Sequence, residues 1–397
     1  MADSRTIAVA GAGIGGLTTS LALAARGFRV IVLERAERLE EVGAGLQLSP
    51  NASRILIDLG LESLLAPHVI APEAISIVTA RTGKEIGRIP LGETAAFRYG
   101  APYWILRRAD LQAALAAKVK DHPDIELRLG AQFEDVAVYP KGVTVVQRSN
   151  AVRRQEPVLA LIGADGVWSS VRHQIFPEVR PQFTGRIAWR GTVDAKQLPR
   201  EFNAQRVQLW MGTNAHLVAY PMAQGKRINM VAVVSGEWNR PGWNEPGDVI
   251  EIANHFSAPH WPISARMMIG AVDSWRKWAL FAMRDGGVWN KGPIALVGDA
   301  SHAMLPFAAQ GAGMAIEDAA VIARCLEESP ANAPAAFAQY AGQRAARVTR
   351  VTRMARRNGQ TYHLGGPAGF ARDQVIRLLG GSRLLSKQDW VYDWRLP

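Results

Sequence analysis

Cysteine is almost absent: the 397 residues contain one, Cys325. An intramolecular disulfide is thereby excluded, and a reducing, cytoplasmic setting is the expectation. A lone thiol in an Ala/Leu-rich segment reads as an inert core residue. No run of about 18 uncharged apolar residues occurs, so no membrane span is expected. The first residues lack the ordered basic, apolar and small-residue segments of a secretory signal. Zinc-finger spacing, internal repeats and low-complexity tracts are missing too, and no metal site is expected. Acidic residues are outnumbered, 35 against 46 Lys and Arg, for a net charge of +11. Such a balance favours anionic partners. Nucleic acid is not among the expected ones, because aromatic and basic residues do not interleave.

The densest basic stretch is RAARVTRVTRMARRNG, residues 344–359. At about 100° per residue, Val348, Val351 and Ala355 share one side of a helix, and Arg350, Arg353, Arg356 and Arg357 crowd another. The stretch predicts a surface helix with a solvated basic face, with a subunit contact as the alternative.

What is present begins with 48% hydrophobic residues, enough for two or three lobes. IAVAGAGIGGLTTSLALAARGFRVIVLER, residues 7–35, gives a strand, a glycine turn, an apolar helix and a second strand that ends at Glu34. This is the dinucleotide fingerprint in its required context. Gly11 permits the tight turn, Gly13 lets backbone approach a pyrophosphate, and Gly16 lets helix and strand pack closely. The helix start offers unpaired N–H groups to phosphate. Glu34 can accept from ribose hydroxyls and disfavours a 2′-phosphate, which suits FAD or NAD better than NADP.

Three further stations follow. YWILRRADLQAALAAKV, residues 103–119, places Arg107 and Arg108 before a helix, where an arginine can reach a phosphate or pair with a surface acid. LALIGADGVWSSVRHQIF, residues 159–176, ends a strand at Asp165-Gly166, a turn pair whose carboxylate can cap the next segment. VGDASHAMLPFAAQGAGMAIEDAA, residues 297–320, carries a carboxylate at a strand end, a mid-loop proline and glycines where a helix begins.

In this order the four stations resemble the fingerprints of the single-component FAD-dependent aromatic hydroxylases, the family of para-hydroxybenzoate hydroxylase. The resemblance covers nearly the whole chain. It lies nearest the branch of salicylate hydroxylases, 3-hydroxybenzoate 6-hydroxylases and 6-hydroxynicotinate 3-monooxygenases. It implies an α/β (α+β, two-lobed) fold, a Rossmann-like FAD-binding domain interleaved with a β-sheet substrate domain. The FAD domain is expected at residues 1–75, 100–180 and 285–365. The substrate domain is expected at 76–99 and 181–284, with a helical end piece at 366–397. Residues 239–248, NRPGWNEPGD, predict a surface loop.

The resemblance also assigns roles. Gly11, Gly13, Ile14, Gly15 and Gly16 meet the FAD pyrophosphate, Glu34 the AMP ribose, Arg35 the adenosine and Arg108 the ribityl-phosphate region. Gly45 and Gln47 lie near the flavin. Asp165 belongs to a motif tied to FAD and the nicotinamide donor, and Asp299 accepts from a ribityl hydroxyl. Gly311, Ala312, Gly313 and Met314 open a helix toward the flavin's pyrimidine edge, where reduced flavin carries negative charge. Pro306 stiffens the loop over the flavin, and His302 braces it. The implied reaction consumes NADH or NADPH and dioxygen and passes through a flavin C4a-hydroperoxide that hydroxylates a small aromatic acid.

Ionising a phenol makes its ring a better nucleophile, so a base belongs near the substrate hydroxyl. VQLWMGTNAHLVAYPMAQG, residues 207–225, predicts a strand pair turning at 211–214. Its His-Leu-Val-x-Tyr-Pro pattern resembles the branch's substrate pocket, which makes His216 the expected base and Tyr220 its companion. Tyr103, Gln47 and Gln310 are further substrate or flavin contacts. Arg190 is a carboxylate contact or an ordinary sheet arginine. Gln47 stands where the hydroxynicotinate enzymes carry a histidine, and Pro306-Phe307-Ala308-Ala309-Gln310 replaces the shorter turn of salicylate hydroxylases. The first departure argues against the pyridine substrate, and the second leans toward a 3-hydroxybenzoate-type enzyme. A flavin reductase acting on a lipid-like substrate and a non-catalytic FAD-binding protein are the rival readings. A monomer or a homodimer is expected.

Overall fold

The computed structural model describes residues 5–39, 45–150, 152–199, 202, 205–240 and 242–397. Val42, Gly43 and Ala44, in the loop expected near the flavin, lie outside the described residues.

The glycine fingerprint folds as its pattern requires. Strand Thr6–Ala10 leads into helix Ile14–Ala24 and on to strand Arg29–Glu34, which pairs parallel with the first. These strands sit inside a six-stranded sheet with Ile125–Leu129, Ala160–Gly163, Ile294–Leu296 and Asn290–Lys291. All of its pairings are parallel except that of Asn290–Lys291. Burial on both faces explains why its inner strands read as continuous apolar runs. The second large sheet has eight strands, from Ala74–Thr79, Glu85–Pro90 and six segments within 182–282. A three-stranded antiparallel sheet covers Gln132–Tyr139, Gly142–Ser149 and Val152–Val158.

Helix Gly311–Glu328 packs on Ile14–Ala24 and on the long helix Ala333–Tyr362. Beyond it, helix Gly366–Ser386 lies against strand Glu85–Pro90. No helix among the described residues is long and apolar enough to cross a membrane.

Three sequence expectations change. The basic stretch 344–359 does form a helix with Val348, Val351 and Ala355 buried, but Arg344 is only 1% exposed. Its guanidinium pairs with Glu317 at 2.6 Å and Asp318 at 2.7 Å, so that part of the charge neutralises buried carboxylates rather than meeting solvent. Residues 239–248 are not all loop: Asn244–Gly247 forms the sheet's edge strand against Trp275–Ala282. The turn within 207–225 is tighter than expected, because Met211 and Gly212 pair with His216 and Ala215, leaving Thr213 and Asn214 between the strands.

Candidate active site

A cavity of about 500 Å³ opens at the carboxyl ends of the parallel strands and runs to the face of the eight-stranded sheet. That strand-end crevice is where doubly wound folds bind ligands. Gly11, Gly13, Ile14 and Gly15 line one end, with Glu34, Arg35 and Arg108.

The three fingerprint glycines have separate jobs. Gly11 sits at φ +106° and donates its N–H to Leu33 O at 2.7 Å. A Cβ on Gly16 would lie 1.9 Å from Gly11 O, so Gly16 is fixed by packing. A Cβ on Gly13 would meet nothing within 4 Å, which leaves backbone open to the cavity. Glu34 closes the loop by accepting from Ala12 N at 2.8 Å and Ala36 N at 2.9 Å.

The opposite wall carries the two strand-end carboxylates. Asp165 Oδ2 accepts from Ser170 N at 2.7 Å and Val171 N at 3.1 Å, capping helix Ser170–Ile175 as expected. Its Oδ1 is buried without a partner among the described residues, and burial pushes its pKa up. Asp299 follows Gly298, whose φ of +59° and N–H bond to Asp318 Oδ2 at 2.9 Å turn the chain into the cavity. Pro306, Gly311 and Ala312 complete this wall, and the first N–H groups of the 311–328 helix have no intrahelical acceptor. Open glycine backbone, an orphaned carboxylate oxygen and a free helix start suit a flat cofactor with a pyrophosphate and a polyol.

The sheet end of the cavity is set by strand alternation. On Ala215–Met222, residues 216, 218 and 220 face the cavity while Leu217 and Ala219 enter the core of the sheet's other face. The register places His216 and Ala188 on either side of Val233, and Val218 and Arg190 on either side of Val231. His216 is 2% exposed, its Nδ1 lies 2.7 Å from His363 Nε2, and burial holds its pKa well below the usual histidine value. Gly45 passes so close to Tyr220 that a Cβ there would lie 2.4 Å from the ring. Gln47 lines the cavity and accepts from Tyr103 OH at 2.8 Å.

A family model described as FAD binding domain matches residues 4–355. The chain belongs to this family. Its relatives along nearly their whole length are oxygenases. It is 31% identical over 395 residues to a 3-hydroxybenzoate 6-hydroxylase of Klebsiella oxytoca, covering 100% of this chain and 98% of that one. It is 36% identical over 388 residues to a 3-amino-4-hydroxybenzoate 2-monooxygenase of Streptomyces platensis, covering 97% and 95%. A salicylate hydroxylase solved as a substrate complex superposes with a TM-score of 0.84 at 25% identity, over 100% of this chain and 97% of that one. The protein is thus an FAD-dependent monooxygenase.

In this flavoprotein five expected contacts do not line the cavity. Met314 is fully buried in the core and its N–H is spent on Gln310 O at 2.8 Å. Gly313 faces away, where a Cβ would lie 2.9 Å from Gln310 Oε1. Gln310 is buried between Ser49, 2.8 Å away, and Asn51, 3.2 Å away, behind the wall. Tyr103 stands behind Gln47 as its brace. Gly16, as described, is also a packing residue. His302 is 3% exposed, and its Nε2 lies 2.6 Å from Asp318 Oδ2, the same oxygen that takes the Gly298 N–H.

Arg190 is the underweighted residue. It lines the cavity, its Nε has no partner among the described residues, and burial lowers its pKa. Strand alternation from Ala188 would have aimed it correctly. Val231, Val233 and Phe307 were legible only as apolar residues, because their exposure to the cavity depends on register.

Proposed function

We propose that this monooxygenase hydroxylates a small phenolic acid of the 3-hydroxybenzoate or salicylate type, with NADH or NADPH as electron donor. One observation carries the acid: Arg190 is half-buried and faces the cavity beside Tyr220, and its Nε is buried without a partner among the described residues. A buried cation without a counter-charge is costly, and an anionic occupant relieves that cost. The names of the full-length relatives, hydroxybenzoate and aminohydroxybenzoate oxygenases, support the same class.

Bound FAD supplies reduction by the nicotinamide and activation of dioxygen. The chain supplies placement. Gly13 and the helix start hold the pyrophosphate, Glu34 the ribose, and Arg35 the adenosine. Arg108 reaches the ribityl-phosphate region and Asp299 the ribityl chain. Asp165 borders the donor's approach, and Gly311 with Ala312 turns N–H groups to the flavin ring. Pro306 and Phe307 keep water from the reacting face. Arg190 holds the acid group, Tyr220 orients the ring, and His216 takes the phenolic proton. Burial keeps His216 neutral, the form a base needs before it accepts a proton. In this reading the segments 1–75, 100–180 and 285–365 form the cofactor domain and the eight-stranded sheet forms the substrate domain.

The test is NADH and NADPH oxidation by the yellow protein against hydroxybenzoates, salicylate and 6-hydroxynicotinate, with product and peroxide quantified in parallel. Near-stoichiometric product from one acid is expected. Peroxide alone, or no stimulation by any compound, rejects the aromatic-acid reading. His216→Asn is expected to stay yellow and to lose most coupled product; unchanged product per NAD(P)H removes His216 from the mechanism.

A further inference from the structure

The basic helix borders a second groove, of about 890 Å³, that the aromatic-acid reading does not use. Arg350, Arg353 and Arg357 line one side, three and four residues apart and therefore on one face of helix Ala333–Tyr362. Lys387 and Trp390, from the C-terminal segment, line the other. No Asp or Glu is among the described residues that border the groove. The same helix spends its other arginines on carboxylates. Arg344 pairs with Glu317 and Asp318, Arg347 with Glu317, and Arg356 with Asp285, which Arg353 shares. Arg350, Arg357 and Lys387 have no carboxylate partner among the described residues. Arg350 is also held in place: its guanidinium carbon lies 3.8 Å from the centre of the Trp390 ring, and Arg347 Nη1 donates to the Trp390 carbonyl at 2.8 Å. A guanidinium stacked in this way keeps its N–H edge free and loses little freedom when an anion arrives.

We propose that this groove is a second ligand site, separate from the flavin cleft, for the di- or triphosphate group of a small molecule, and that its occupancy acts on the cleft through Asn358 and Phe307. The spacing argues for several linked charges. From residue 350 to residue 357 the helix rises about 10 Å, with an arginine at each turn. A single carboxylate, as on a benzoate, would meet one guanidinium and leave the others unanswered. A short phosphate chain presents an anionic centre to each, and the arginine fork takes two phosphate oxygens at once. Lys387 and Trp390 wall the far side, so the space takes a small molecule.

The link to the cleft is short. Asn358, the neighbour of Arg357, lines the groove and donates Nδ2 to Phe307 O at 3.0 Å. Tyr362 OH donates to the same oxygen at 3.3 Å. The Phe307 ring packs so closely on Gly359 that a Cβ there would lie 2.4 Å from it. Phe307 in turn lines the flavin cleft and meets His216 edge-on at 5.1 Å. An anion that orders Arg357 therefore bears on the helical turn that holds Phe307. The inference depends neither on which acid is hydroxylated nor on His216 being the base.

The test is calorimetric titration of the FAD-saturated protein with pyrophosphate, ADP and citrate at constant ionic strength. Pyrophosphate is expected to bind with a Kd of about 10–100 µM, and citrate at least about tenfold more weakly. Arg350→Gln and Lys387→Gln are each expected to weaken pyrophosphate at least about tenfold, and if one variant does not fold the other decides. ADP binding as tightly as pyrophosphate identifies a phosphate chain as the whole ligand, whereas tighter ADP identifies a nucleotide. No binding by the parent, or binding unchanged in both variants, overturns the site; the second result would place the anion in the flavin cleft. Citrate as tight as pyrophosphate overturns the phosphate assignment. The flavin difference spectrum reads the link. Pyrophosphate is expected to perturb it in the parent and not in Asn358→Ala, which still binds the anion. Binding without a spectral change in the parent, or the same change in Asn358→Ala, overturns the action through Phe307.

Discussion

Gly13 and Gly16 stand three residues apart in one turn, and alanine at each is expected to fail in a different way. Gly16 lies inside helix Ile14–Ala24, and its added Cβ would sit 1.9 Å from a backbone oxygen that cannot swing aside. Overpacking of this kind costs about 3 kcal/mol, and alanine's better helix propensity returns about 1 kcal/mol. A net loss of roughly 2 kcal/mol or more is expected in the FAD-free protein. Gly13 is the residue before the helix, at φ −73° and ψ −178°, which alanine adopts freely. Its added Cβ meets no protein atom within 4 Å. The entropy removed from the unfolded chain and the weaker cap nearly offset each other, so apo stability should change by less than about 0.5 kcal/mol. FAD should notice instead. Losing a charged hydrogen bond to the pyrophosphate costs about 1.5–3 kcal/mol, or roughly 10- to 150-fold in Kd. Urea unfolding of stripped protein by tryptophan fluorescence and FAD titration by flavin fluorescence separate the two effects. If Gly13→Ala lost as much apo stability as Gly16→Ala, or bound FAD within twofold of the parent, the assignment of roles would be wrong.

The remaining expectations concern the walls of the cleft. Asp299→Ala should purify depleted in FAD, by the ratio of flavin to protein absorbance, and a fully yellow variant would contradict its cofactor contact. Arg344→Met should lower stability by about 1.5–3 kcal/mol in urea, because fully buried Asp318 and Glu317 each lose a charged hydrogen bond and keep only His302 and Arg347 as cationic partners; a loss below about 1 kcal/mol would show the Arg344 contacts to be replaceable. Folded His363 titrates near 4 while the unfolded side chain titrates near 6.5. The unfolded state therefore binds the extra proton between those values, and stability should fall as pH drops through that window and level off below it. His363→Gln should flatten this slope in urea titrations at several pH values.

Much of the cofactor end was legible because its constraints are local. A glycine needed for close approach and an acid at a strand end lie within a few residues of the element they serve. The sheet end was legible only where one strand carried the signal, as in the alternation of His216, Val218 and Tyr220. Arg190 was visible as a residue but not as a cavity cation, since its environment comes from neighbouring strands 30 to 90 residues away in the chain. His363 was invisible: it follows a basic helix, and only tertiary packing brings its ring to His216. Helical spacing likewise separated the apolar from the basic side of residues 344–359. It could not foresee that Arg344 would be claimed by carboxylates of another helix.

Those carboxylates explain how the cleft keeps its shape. Glu317 and Asp318 are adjacent on one helix, so their side chains diverge and reach different walls. Glu317 accepts from Asn51 Nδ2 at 2.6 Å, and Asn51 continues to Gln310 and Ser49. Asp318 accepts the Gly298 N–H and faces His302, fixing the turn that presents Asp299. Burial pushes the Asp318 carboxyl up, but His302 and Arg344 outweigh it and leave it below the usual range, ionised. Apolar residues of equal volume could replace such a cluster with little loss of stability. They could not accept the Gly298 N–H or orient Asn51. The charges therefore serve position more than stability: they tie both shoulders of the cleft to the one helix whose first turn, at Gly311 and Ala312, lines it.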